Sequence, residues 1–227
     1  MNITEVMKAR HSVRQYLDKP IETEALTAIK EEIEACNREG GLNIQLVTDE
    51  PKAFSGFMAK YGKFSGVTNY IALVGPKSSD LGQKCGYYGE RLVLLAQQLG
   101  LNTCWVAMSY KKIPEAFKIN SGEKLTVVIS LGYGTNQGEE HKSKEASQVS
   151  NITEESPDWF KRGVEAALLA PTAMNQQKFN FTLTEDNEND KCMVEAETGK
   201  GFYTDIDLGI AKYHFEIAAG TDNFSWK

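Results

Sequence analysis

Residues 134–156, GTNQGEEHKSKEASQVSNITEES, hold almost nothing that can pack against a core. A polar connection of that length is either a linker or a functional segment. It divides the chain of 227 residues into a long front stretch and a short rear one, and we read these as two domains, 1–150 and 151–227. Apolar residues make up 41% and charged residues 25%, the proportions of an ordinary globular protein.

Net charge is −6. That weighs against nucleic acid as the partner, because phosphate backbones need a broad basic surface. A few local Lys and Arg can still hold one small anion. No apolar run approaches the roughly 20 residues that span a bilayer, so no membrane partner is expected. The start, MNITEVMKARHSVRQY, lacks an apolar signal core, and the chain is read as cytoplasmic. Cys36, Cys85, Cys104 and Cys192 show no CxxC spacing and read as reduced, buried small hydrophobes. With three histidines, none at ligand spacing to a cysteine, no metal is expected.

Periodicity gives a short opening helix, then a helix over Glu22–Glu39 with Thr23 as N-cap, ended by Gly40-Gly41. Leu42–Thr48 alternates like a strand, residues 51–68 are irregular, and Tyr70–Val74 is a short apolar strand. Asp80–Leu99 reads as a long helix with Leu92, Leu95, Ala96 and Leu99 on one face. Thr103–Met108 and Leu125–Gly132 read as buried strands, with a short helix over Lys111–Phe117 between them. In the rear part a helix with Pro157 at its first position runs to Leu169. Strands over Phe179–Thr184 and Cys192–Ala196 flank the turn EDNEND, and a last helix covers Tyr203–Ala219.

The parts echo one another. NIQLVTDE (43–50) and FNFTLTED (179–186) each follow a helix and run strand, Thr, two acids. GYYGERLVLLAQQLG (86–100) and GFYTDIDLGIAKYHFEIAAG (201–220) each open Gly-aromatic-aromatic and end a helix at Gly. We read these echoes as a structural repeat.

Four segments carry chemistry. RHSVR brings Arg10, His11, Ser12 and Arg14 together; two guanidiniums around a hydroxyl suit one dianionic phosphate. APTAMNQQKFNF supplies Pro171, Thr172, Ala173, Met174 and Asn175, then Gln176 and Gln177, a polar loop whose amides suit a planar heterocycle. LGLNTCWVAM, which contains Trp105, Val106 and Ala107, ends a helix and enters a buried strand whose end presents backbone N–H groups at fixed positions, a donor array for a ring nitrogen. LGYGTNQGEEHKSK leads from a strand into a loop with Lys142 and Lys144, alternate residues that would point the same way.

Together these segments resemble the nitroreductase family of FMN enzymes over nearly the whole chain. The resemblance implies an α+β nitroreductase-like fold, with mixed or antiparallel sheets flanked by helices. It implies that Arg10, His11, Ser12 and Arg14 grip the FMN phosphate and ribityl chain, and that Lys142 and Lys144 return to the phosphate. It implies that Trp105 and the backbone of Val106 and Ala107 lie near flavin N5, with Pro171–Asn175 against the ring. In most of the family the A-P-S/T loop follows the first long helix, where this chain reads EACNREGG. Here it follows the equivalent helix of the rear part. The chain is therefore expected to be a pseudo-dimer of two fused nitroreductase-like halves with one FMN, either a monomer or a further homodimer. The usual Q-P-W is replaced by Gln177-Lys178-Phe179.

The activity so implied is hydride transfer from NAD(P)H through flavin N5 to an electron-poor small molecule such as a nitroaromatic or quinone, with no catalytic side chain. Lys60, Lys63, Gly62 and Gly66 are candidates for the pyrimidine edge, and Tyr61, Phe64, Tyr87 and Tyr88 for the acceptor pocket. The alternatives are a flavin-modifying or reductive-dehalogenase-like relative, and a non-enzymatic flavin-binding module.

Overall fold

The computed structural model describes residues 2–186 and 191–227. Within them the chain forms two compact units, each discontinuous in sequence. One comprises Ala9–Leu81 and Arg91–Glu140; the other comprises Asn2–Lys8, Gly82–Glu90 and His141–Lys227. No helix among the described residues is long and apolar enough to cross a membrane.

The elements run α1 (Ile3–Ala9), α2 (Thr23–Gly40), β1 (Gln45–Val47), α3 (Phe57–Tyr61), β2 (Asn69–Pro76), α4 (Leu81–Gln98), β3 (Asn102–Val106) and β4 (Glu123–Gly132). Then follow α5 (Asp158–Ala167), β5 (Phe179–Asp186), β6 (Lys191–Thr198), α6 (Thr204–Ala219) and β7 (Ser225–Trp226). Helix α4 supplies its first half to the second unit and its second half to the first.

The first unit is built on an antiparallel sheet in the order β1-β2-β4-β3. Tyr70 to Val74 of β2 are wholly buried, so both faces of this strand are covered. Its Tyr70, Ala72 and Val74 side join a core with Val13, Tyr16, Phe54, Phe64 and Val106. Helix α2 buries Ala25, Ile29, Ile33 and Cys36, spaced three or four apart along one stripe. It ends at Gly41, whose φ of 63° is the left-handed cap that glycine reaches without a Cβ clash.

In the second unit β5 and β6 form an antiparallel pair and β7 lies parallel to β6. Phe181, Phe215, Phe224 and Trp226 cluster on it, with Phe181 and Phe215 stacked at 4.7 Å. Gly163 of α5 lets Phe215 of α6 approach, since a Cβ there would sit 2.7 Å from the ring. The packing of α4 on α6 is tighter still. A Cβ at Gly209 would strike the Gln83 carbonyl oxygen, and one at Gly86 would strike that of Ile206.

Several sequence expectations change. Thr23 is the first helical residue, with Glu22 as the cap, and Pro157 caps α5 instead of entering it. Residues 111–117 form turns, not a helix. Lys111 donates its N–H to Ala53, and the Ala116 N–H reaches back only three residues to Ile113. Residues 51–68 are not irregular throughout, because α3 lies inside them. On α4, Val93 and Leu94 are buried, while Leu95 and Leu99 are only half-buried. The polar connection is anchored: Val149 has no exposure and Ser150 bridges to Phe181 of β5. Of the turn EDNEND, residues 187–190 lie outside the described residues.

Candidate functional site

Residues 10–17 run through the first unit as an extended strap. The Val13 N–H donates to the Thr103 carbonyl at 3.0 Å, and Tyr16 and Arg14 exchange hydrogen bonds with Ser65, both at 3.0 Å. Leu17 donates to Tyr133 at 2.8 Å, and Thr135 donates back to Gln15 at 2.9 Å. Gly66 is required at the crossing: its φ is 69°, and a Cβ would strike the Tyr16 carbonyl. Val13 and Tyr16 point into the core, with 1% and 6% exposure. The strap is thus fixed by Val13 and Tyr16, and Ser12 and Arg14 flank the buried Val13.

The strap docks on the open edge of β3 through a parallel bridge between Ser12 and Thr103. Burial raises the pKa of the Cys104 thiol of β3, and Arg14, Ser12 and Arg10 oppose the rise. Arg10, Ser12 and Arg14 thus lie in the neighbourhood of the Cys104 thiol, Arg10 buried at 3% exposure, Ser12 half-buried and Arg14 exposed. His11 is half-buried, and a Cβ at Gly138 would sit 2.7 Å from its own Cβ. Two guanidiniums and a hydroxyl at one place form a donor set suited to a dianionic phosphate.

Strand alternation decides which peptide groups face outward. Since the Thr103 carbonyl bonds Val13, the peptide groups of Thr103 and Trp105 point away from β4, and those of Cys104 and Val106 point toward it. Trp105 thus carries the outward N–H within the strand, and Ala107 follows just beyond the strand end.

The second unit holds the other candidates. Pro171, Thr172 and Ala173 are half-buried, Met174 is 99% exposed, and Asn175 is exposed. Ala173–Asn175 make a single 3-10 turn. Met174, Asn175 and Gln177 all have positive φ, at 52°, 54° and 44°. The left-handed region costs a residue with a Cβ roughly 1–2 kcal/mol, so this loop persists only because its surroundings fix it.

Hydrogen bonds supply that fixing. Gln177, 2% exposed, donates its carboxamide to the Lys142 carbonyl at 2.9 Å and to Asn175 Oδ1 at 2.7 Å. Its Oε1 accepts the Lys144 N–H at 2.8 Å, and its own N–H reaches Thr172 Oγ1 at 3.1 Å. Asn175 Nδ2 donates to the Lys142 carbonyl at 2.9 Å. The Lys144 ammonium donates to the Gln177 carbonyl at 2.8 Å. The two lysines therefore do not present alike: Lys144 is half-buried and tied to the loop, and Lys142 is exposed.

Asp207 of α6, which the sequence reading passed over, closes the arrangement. Its Oδ1 accepts the Ala173 N–H at 2.9 Å and its Oδ2 accepts Gln176 Nε2 at 2.7 Å. Asp207 is 3% exposed. Burial pushes its pKa up to about 6, against the pull of those two hydrogen bonds. The signal was an acid on the buried face of a helix, one turn from Ala211 and two turns from His214.

The aromatic candidates separate. Phe64 is 6% exposed and packs on Phe54 in the core, whereas Tyr61 is 77% exposed. Tyr87 is committed to Glu216 through its hydroxyl and to Tyr88 and Tyr213 through its ring. Lys60 and Lys63 are exposed; Gly62 is half-buried and Gly66 exposed.

Over residues 2–219 the chain matches the family described as "Putative TM nitroreductase". Among solved structures, a "putative nitroreductase" of Thermotoga maritima is 24% identical, with a TM-score of 0.65 over 96% of this chain and 83% of its own. A "putative nitroreductase in complex with FMN" from Desulfovibrio desulfuricans is 15% identical, with a TM-score of 0.53 over 69% of this chain and 99% of its own. A Parabacteroides distasonis protein described as "Putative NADH dehydrogenase/NAD(P)H nitroreductase" is 21% identical, with a TM-score of 0.51 over 66% and 97%. These likenesses establish a nitroreductase-like α+β fold. No curated protein matches the chain.

Proposed function

The chain belongs to the "Putative TM nitroreductase" family, and from that premise we propose that it binds FMN and acts as an NAD(P)H-dependent oxidoreductase. The observation that carries this reading is the strap that lays Arg10, Ser12 and Arg14 along the open edge of β3, fixed there by the Ser12–Thr103 bridge and the Val13 N–H to Thr103 carbonyl bond.

Two flavin-binding elements are proposed. In the first unit, Arg10, Ser12 and Arg14 take the phosphate, with His11 packed beside Gly138. The outward N–H of Trp105 and that of Ala107 serve as donors to the ring edge. In the second unit, the loop from Pro171 to Asn175 is held in a single shape by Gln177, Lys144 and Asp207 and offers its face to the ring. Lys142, exposed, is the remaining cation for a phosphate. Bound FMN would supply two-electron hydride chemistry, which no side chain of this protein offers. The residues named bind, orient and polarise, and no side-chain acid or base is assigned. The acceptor class is an electron-poor small molecule such as a nitroaromatic or quinone.

A helix, two strands that pair antiparallel and a second helix occur in that order twice along the chain, as α2-β1-β2-α4, with the short α3 inserted between β1 and β2, and as α5-β5-β6-α6. That recurrence supports reading the chain as two fused, related halves.

The test is a visible absorption spectrum of the purified protein after FMN loading, followed by anaerobic titration with NADH and NADPH. Flavin bands that remain at one per chain after removal of free FMN and bleach on titration are expected. A chain that takes up no FMN overturns the reading.

A further inference from the structure

Four residues with a Cβ hold positive φ around one buried carboxylate. Met174, Asn175 and Gln177 lie in the loop, and Tyr203, at 61°, lies just before α6. The Tyr203 carbonyl accepts the Asp207 N–H at 3.0 Å, which places the carboxylate at the first turn of the helix. From there its two oxygens take separate donors of the loop, the Ala173 N–H and the Gln176 carboxamide. The second Gln176 hydrogen goes to the Phe202 carbonyl at 2.9 Å. Gly201 leaves the space for this carboxamide, since a Cβ there would sit 2.6 Å from Gln176 Oε1. The strained loop is thus tied to α6 through Asp207 and Gln176.

We propose that Asp207 is the positioning residue of the flavin-contacting loop, and that protonating it loosens the loop and weakens flavin binding. This rests on the reading that the loop faces FMN.

Both loop groups that reach Asp207 are donors. An ionised carboxylate accepts at each oxygen, whereas a protonated one has an O–H at one of them. The protonated group is a poorer acceptor and both ties lose their charge assistance, so both weaken. The groups acting on the carboxylate are neutral: burial raises its pKa to about 6, and the Ala173 N–H and Gln176 carboxamide pull it down. The switch therefore operates in mildly acidic solution.

Two measurements on the full chain test this. The first is amide hydrogen exchange of residues 172–177 in the flavin-free protein at pH 7.5 and 5.0, corrected for intrinsic rates. Protection in wild type is expected to fall about tenfold on acidification, the change that roughly 1.4 kcal/mol of lost contact produces. Asp207→Asn, which puts a donor where an acceptor stood, is expected to be poorly protected at both pH values. The second is FMN affinity by quenching of flavin fluorescence over the same range. Wild type should weaken about tenfold toward pH 5, Asp207→Asn should be weak and flat with pH, and Arg14→Ala should be weaker than wild type yet keep the pH slope.

Loop protection that is the same in both proteins and at both pH values overturns the proposal, whatever the flavin result. FMN affinity that is independent of pH in wild type and unchanged in Asp207→Asn overturns it as well. A loop that loosens as expected in a chain that takes up no FMN at any pH overturns the proposed function instead, and leaves the positioning role standing.

Discussion

His214 Nε2 lies 3.0 Å from Glu90 Oε1, and neither side chain has any solvent exposure. The other ring nitrogen, Nδ1, lies 3.0 Å from the Ala166 carbonyl. A carbonyl only accepts, so Nδ1 carries a hydrogen. The remaining contact is a hydrogen bond between Nε2 and the carboxylate oxygen, so each polar group of this buried pair has a partner.

Breaking this pair should be costly in a way that depends on what replaces it. Glu90→Leu leaves Nε2 facing an apolar group and is expected to cost about 3–5 kcal/mol. Glu90→Gln retains a donor for Nε2 and should cost about half as much or less. Urea denaturation at pH 7 measures both. Equal losses would show that the contact is a matter of shape and not of hydrogen bonding.

The contact of α4 with α6 gives a second expectation. Gly209 has the Gln83 carbonyl and the Tyr87 N in the place a Cβ would take, so Gly209→Ala must push two helices apart. A loss of about 3 kcal/mol is expected, at the upper end of overpacking costs. Gly199 is the control. A Cβ there meets Lys178 at 3.5 Å, an ordinary contact, and Gly199→Ala should stay within about 0.5 kcal/mol of wild type. Thermal denaturation of the two variants side by side decides it.

The helices were legible because their apolar residues recur at one period over many turns: Ile29 and Ile33 on α2, Leu92 and Ala96 on α4. Short elements were not. Phe57, Met58 and Tyr61 of α3 are 80%, 47% and 77% exposed, so no buried stripe marks that helix. Residues 111–117 carry helical spacing, but the Lys111 N–H finds its partner at Ala53, far away in sequence. The same limit applies to the candidate site. Arg10, Ser12 and Arg14 are close in sequence and so could be read together. Asp207 acts on Ala173 and Gln176 from thirty or so residues downstream, and only the fold brings them together. The left-handed conformation of Met174 also had no sequence signal, because the residue types that usually mark it are Gly and Asn.

Arg14 is exposed and its side chain alternates with the buried Val13, so its removal should leave the strap in place. Arg14→Ala is expected to weaken FMN binding by about 1–3 kcal/mol, the range for a charge-assisted hydrogen bond, with little change in melting temperature. Recovery of free-flavin fluorescence on dilution measures the affinity. An unchanged value would remove Arg14 from the phosphate site.

Tyr16 holds the same strap from behind. Its hydroxyl lies 2.7 Å from the Val13 carbonyl and 2.8 Å from Ser130 Oγ, and that Oγ lies 3.3 Å from the Cys104 carbonyl. Two hydroxyl hydrogens serve three contacts, so the pair forms a short relay linking the strap to β3. Burial raises the phenol pKa, which keeps the donor in place through any ordinary pH. Tyr16→Phe should cost about 1–2 kcal/mol of stability and weaken FMN binding less than Arg14→Ala does. A variant with wild-type stability would show that the relay contributes nothing to holding the strap.

Asp207 makes a prediction about stability whose sign is opposite to its effect on the loop. Its folded pKa stands above the ordinary carboxylate value, raised from 3.8 to about 6 by burial. Between these values the folded chain holds a proton that the unfolded chain has lost. The stabilisation from this group is therefore complete below the unfolded pKa and is lost as pH rises through about 6. At 1.36 kcal/mol per pKa unit the full swing is about 3 kcal/mol. Asp207→Asn cannot ionise, so the stability difference, variant minus wild type, should grow by about 2 kcal/mol of that swing between pH 4.5 and 7.5. Urea midpoints across this range give the difference directly and cancel every other titrating group. Acid should thus tighten the folded chain through Asp207 while loosening the loop it holds, because burying a neutral carboxyl is cheaper even as the ties to Ala173 and Gln176 weaken. A stability difference that is flat with pH would mean that Asp207 titrates normally, and the pH dependence of the loop would have to originate elsewhere.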